Sequence, residues 1–131
     1  MKLRIRNHLL LFYHYNIRKC VGISSKVKGS DDLHYLLFDI DNPEDCQKAC
    51  EWVHHNYPSA TIMYESSPNG GCHIFVFYKF SWRGLLNEML YCPYIDLNWY
   101  ALGIKRGYFF LETRHKLAYP DVTYMRVDRI A

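Results

Sequence analysis

Between residues 34 and 39 the chain runs Tyr35-Leu36-Leu37-Phe38 without a polar break. It then passes straight into Asp39-Ile40-Asp41 and Asn42-Pro43-Glu44-Asp45. A short, continuous apolar run of this kind reads as a buried strand. The polar segment after it reads as a helix start: an Asn cap, a Pro in the first turn and two acids facing the positive end of the helix dipole. Apolar residues at 46, 49, 50, 53 and 57 keep helical spacing, and Pro58 lies just past the end. This strand-to-helix junction fixes the class of the fold and places two carboxylates at the strand's end.

The rest of the pattern extends that unit. Residues 61–64 read as a second strand, Pro68-Asn69-Gly70-Gly71 as a turn, and residues 72–78 as a third strand. Ser81 caps a helix that runs to about residue 90. Asp96 caps a short helix that Gly103 ends, and residues 108–112 and 122–127 read as further strands. From residue 34 the order is β-α-β-β-α-β, which predicts an α+β, ferredoxin-like or RRM-like antiparallel sheet with its helices on one face. Residues 1–33 read as a reduced N-terminal segment. Within it, residues 7–20 form a helix capped by Asn7 or a strand, and Ser24 to Asp32 form a polar, flexible stretch.

The 131 residues suit a single domain, and at 50% hydrophobic they exclude a disordered chain. No apolar run approaches the ~20 residues of a membrane helix, so no membrane partner is expected. Lys2, Arg4 and Arg6 are not followed by a signal-peptide core. Together with an odd count of five cysteines, this predicts reduced thiols and a cytoplasmic location. The formal charge of +3 permits contact with phosphates without demanding it.

Four groups of residues could carry chemistry. Asp39 and Asp41 point to one face of a strand end, and two such carboxylates repel unless a hard cation, Mg²⁺ or Mn²⁺, lies between them. The plain alternative is an acidic turn in which Asp41 or Asn42 caps the next helix. His73 follows two glycines that would let a backbone approach a phosphate; alternatively it is a hydrogen-bonded histidine after a hairpin turn. Asp96 is a helix cap, or a third carboxylate that completes a two-metal site. Lys105, Arg106, Arg114 and Lys116 accompany Tyr108, Phe109 and Phe110, which suits a phosphate backbone and stacked bases, or else a solvated basic edge over core aromatics. Cys46, Cys50 and His54 are excluded as a zinc site. Their spacing shares the apolar face of the helix, and no paired Cys-x2-Cys turn is present.

Taken in order, Phe38-Asp39-Ile40-Asp41, the run from Glu65 through Ser66-Ser67-Pro68-Asn69-Gly70-Gly71-Cys72 to His73-Ile74-Phe75-Val76, and Ile95-Asp96 resemble the three motifs of the archaeo-eukaryotic primase, or primase-polymerase, superfamily. Leu102-Gly103-Ile104-Lys105-Arg106-Gly107-Tyr108 resembles the segment after the third acid in small members from mobile elements and archaea. The resemblance covers about residues 34–114. It implies a nucleotidyltransferase that takes nucleoside triphosphates and a single-stranded DNA or primer-template. Asp39, Asp41 and Asp96 would hold Mg²⁺ or Mn²⁺, and His73, Ser67, Gly71 and Arg106 would meet the nucleotide. Lys105, Arg114 and Lys116 would meet nucleic acid. The segment before residue 34 is shorter than the template-holding unit usual in such proteins, so activity is expected to call on a replication partner protein. The competing expectation is a non-catalytic, single-strand-binding module of the same fold. A rolling-circle nicking enzyme is a weaker rival, because the strand at His73 has no His-x-His pair.

Overall fold

The computed structural model describes residues 17–67, 70–114, 119 and 121–130. Among them run six strands: β1 (Ile17–Val27), β2 (Leu33–Ile40), β3 (Ile62–Ser66), β4 (Cys72–Ser81), β5 (Phe110–Glu112) and β6 (Val122–Ile130). The helices are α1 (Pro43–Asn56), α2 (Trp82–Met89) and α3 (Leu97–Arg106). The class is α+β, with a curled, wholly antiparallel sheet.

The sheet order is β3-β4-β2-β1-β5, with β6 on β1. It has two halves. In one, β2 and β3 flank β4; in the other, β5 and β6 flank β1. The halves join where Lys26 pairs with His34. This departs from the ferredoxin-like expectation, in which the last strand lies beside the first. Here β1 takes that place, and β5 and β6 build on β1 instead. The N-terminal segment is therefore a long strand at the junction of the sheet. Residues 17–20, which the sequence allowed as helix, are strand, while Asn7 and the rest of that candidate helix lie outside the described residues.

The expectation of a flexible stretch from Ser24 onward fails for a specific reason. Ser24 and Ser25 are buried in β1. The Ser25 hydroxyl accepts from the Phe109 N–H at 3.0 Å and shares a hydrogen bond with His34 Nδ1 at 2.8 Å. A hydroxyl that makes both bonds can sit in a core without an unmet polar group. The turn itself is confined to the residues after Val27, where Gly29 has φ 83°.

The helices start and stop on local chemistry. Asn42 caps α1 through the Glu44 N–H, Ser81 caps α2 through the Gly84 N–H, and Asp96 caps α3. Gly103, expected to end α3, is buried inside it, because a side chain there would overlap the Phe109 ring. Gly107, at φ 85°, is the actual terminator, its N–H donating to the Gly103 carbonyl.

The core lies between β2, β4 and the helices. Phe38 meets Trp52 of α1 edge-on at 6.0 Å, and His34 lies 4.7 Å from Trp82 of α2. Residues 34, 36, 38 and 40 of β2 therefore face the helices, and by alternation Leu37 and Asp39 face away. Phe109, which the sequence allowed either on a stacking surface or in the core, is 1% exposed and packs against Trp82, Trp99 and Tyr100.

The cysteine expectation is corrected as well. Cys46 of α1 and Cys72 of β4 form a disulfide, with their Cα atoms 6.0 Å apart. Cys50 and Cys92 are free thiols. Spacing along the chain could not reveal this pair, because a helix and a strand bring it together across the core.

Candidate functional site

Asp39 is the last residue but one of β2, and His73 is the second residue of β4. The two are register partners, and His73 is in turn the register partner of Glu65 in β3. Asp39, His73 and Glu65 thus form a row across three strands on the face turned away from α1. Tyr64, next to Glu65, confirms the alternation: its hydroxyl reaches back to the Cys50 carbonyl of α1 at 3.3 Å.

The imidazole of His73 is hydrogen-bonded at one nitrogen and faces a carboxylate with the other. Nδ1 lies 2.8 Å from the Glu112 carbonyl oxygen, and Nε2 lies 3.6 Å from Asp39 Oδ1. A carbonyl can only accept, so Nδ1 carries a proton. Nε2 then faces the Asp39 carboxylate, either as a lone pair or as an N–H of the cation. Burial pushes the Asp39 carboxyl above its ordinary value, His73 acts against that, and the charges of Asp96 and Asp41 push the same way as burial. Both other acids therefore act on the same carboxylate.

Each sequence-named residue has a place relative to this row. Asp41 is exposed, one residue past β2. The cap of α1 is Asn42, so Asp41 is not used for capping. Asp96 is half-buried and caps α3, its Oδ1 accepting from Asn98 and Trp99 at 3.0 and 3.3 Å. Ser67 and Gly71 close the β3–β4 hairpin, with the Ser67 N–H donating to the Gly71 carbonyl at 2.9 Å. A side chain on Gly71 would overlap the backbone oxygens of Ile40 and Asp41. That glycine therefore admits the end of β2 rather than open solvent. Lys105 and Arg106 are exposed in the last turn of α3, favourably placed at its negative end. Arg114 is exposed just after β5, and Lys116 lies outside the described residues.

Sequence reasoning gave no role to Glu65 or to the segment after β5. Glu65 Oε2 accepts from the Arg114 N–H at 2.9 Å and the Thr113 hydroxyl at 3.3 Å. Together with Ser66, His73, Glu112, Thr113 and Arg114, it lines a pocket of about 50 Å³. A signal for Glu65 was available: a hairpin closed by Ser67 and Gly71 pairs 66 with 72 and therefore 65 with 73.

Among the described residues, no group of three His, Cys, Asp or Glu side chains stands together as a ready-made metal cage. Mg²⁺ rarely uses such a cage. It is usually bound by one or two carboxylates together with substrate phosphates.

No family model, no curated protein and no solved structure matches this chain. No described helix is long and apolar enough to cross a membrane.

Proposed function

We propose that the Asp39–His73 face is a nucleotidyl-transfer site of the primase-polymerase type. One observation carries the reading. Asp39 is held half-buried beside His73 on the face away from α1, and the charges of Asp41 and Asp96 both act on it. Like charges gathered at one carboxyl are costly alone and favourable around a cation. In this reading Asp39, Asp41 and Asp96 supply oxygen donors to Mg²⁺ or Mn²⁺. A cation there would offset the phosphate charge and polarise the phosphoryl centre. His73 presents Nε2 to a nucleoside triphosphate, and the hairpin at Ser67 and Gly71 borders the same end of the sheet. Lys105, Arg106 and Arg114 are exposed cations suited to a single-stranded template. The residue order that resembles the primase-polymerase superfamily supports the same reaction, the attack of a 3′-hydroxyl on an α-phosphate.

The test is template-dependent incorporation. The chain is given a long single-stranded template, primed or unprimed, with Mn²⁺ and both ribo- and deoxynucleoside triphosphates. Incorporation is expected from the unaltered chain. It should fall at least a hundredfold in Asp39→Asn and Asp41→Asn, while strand binding persists, since removing a carboxylate does not weaken a phosphate contact. Salt-sensitive strand binding with no incorporation in any condition would replace this reading with the non-catalytic binding module. Activity that appears only with an added replication protein would support the expected need for a partner.

A further inference from the structure

Glu65 opens the hairpin segment that leads to His73, yet it has no part in the proposed chemistry. Its geometry gives it another one. The Nδ1–H of His73 donates to the Glu112 carbonyl at 2.8 Å, and that bond decides which nitrogen carries the proton and which faces Asp39. The Glu112 carbonyl belongs to a three-residue strand that pairs with Gly22, Ile23 and Ser24 of β1. Past it, the Thr113 N–H donates to the Val21 carbonyl at 3.0 Å. Glu65 ties the same segment to β3, taking the Arg114 N–H at 2.9 Å and the Thr113 hydroxyl at 3.3 Å on one oxygen. Glu65 and His73 are register partners on the same face, and both line the pocket that residues 112–114 close.

We infer that Glu65 is a positioning residue for His73: by clamping residues 113 and 114 to β3, it keeps the Glu112 carbonyl on Nδ1 and so holds Nε2 toward Asp39. The role is that of an outer partner which orients a functional imidazole, where loss typically costs about tenfold or more in binding. The link to nucleotide binding rests on His73 meeting a nucleotide, as proposed for this face, whereas the link to the imidazole proton does not.

The experiment separates the two. Nitrogen NMR of the His73 ring is recorded in alkaline buffer, where an ordinary imidazole is neutral. The unaltered chain should show one tautomer with the proton on Nδ1. Glu65→Ala should show mixed tautomers, and Glu65→Gln, whose amide oxygen still accepts, should restore the single form. In the same proteins, affinity for a nucleoside triphosphate with Mn²⁺ should fall about tenfold in Glu65→Ala and recover in Glu65→Gln. Should Glu65→Ala not fold, Thr113→Val removes one of the two clamp bonds and should shift the tautomer part-way. A His73 spectrum unchanged in Glu65→Ala, or in Thr113→Val where that variant stands in, overturns the proposal. A changed tautomer in a chain that binds no nucleotide even unaltered upholds the positioning role and overturns the nucleotide reading instead.

Discussion

Asp39 costs the fold something by being where it is. Its carboxyl is held above the ordinary value of 3.8, first by burial and then by the charges of Asp96 and Asp41. The unfolded chain ionises it more readily than the folded one. Stability is therefore lost as pH rises from that value through the folded one, and it stays reduced at neutral pH. Asp39→Asn should raise the melting temperature at neutral pH by about 2–4 °C, a shift that calorimetry would register. A fall would mean that the contact with His73 outweighs burial. His34 carries the opposite dependence. Burial and then Lys26 hold it below its ordinary 6.5, so it stays neutral in the fold while the unfolded chain takes up a proton. Its contribution is present above that value and is lost as pH falls through it. Denaturant titrations across this range should show a steeper acid loss in the unaltered chain than in His34→Gln; equal slopes would contradict the account.

The elements differ in how legible they were. The start of α1 was plain, because Asn42, Pro43, Glu44 and Asp45 act within one turn and need no tertiary help. Asp96 and Ser81 were legible as caps for the same reason. Gly103 was misread because its role is set by a ring from outside the helix: Phe109 occupies the space where a side chain would be. β1 was hidden because its polar centre, Ser24 and Ser25, looks like a loop until Phe109 and His34 supply its bonds. The Cys46–Cys72 link was invisible for the same kind of reason, as it joins elements 26 residues apart. Closing a loop of that length in the unfolded chain is worth about 3.5 kcal/mol on the chain-entropy account. A reductant should therefore lower the melting temperature of the unaltered chain by several degrees and leave Cys46→Ser unmoved. Equal responses in the two proteins would show that the link does not constrain the unfolded state.

At the scale of the molecule, two half-sheets meet at β1 and β2, and the candidate site lies where the second half comes back over the first. Asp39 and His73 could be named from sequence because each sits at a strand end beside a strong turn or helix signal. Glu65 could be set opposite His73 from the hairpin alone, but its bonds to residues 113 and 114, and the Glu112 carbonyl, could not be placed without knowing that β5 leaves β1 and crosses toward the β3–β4 hairpin. Calorimetric titration of Mn²⁺ in the presence of a non-hydrolysable nucleoside triphosphate decides whether this junction is the proposed divalent-cation site that a nucleotide completes. The account predicts that Mn²⁺ binds the unaltered chain, more tightly with nucleotide than without, and that Asp39→Asn weakens this at least tenfold. No Mn²⁺ binding with or without nucleotide, or equal binding by Asp39→Asn, would contradict it.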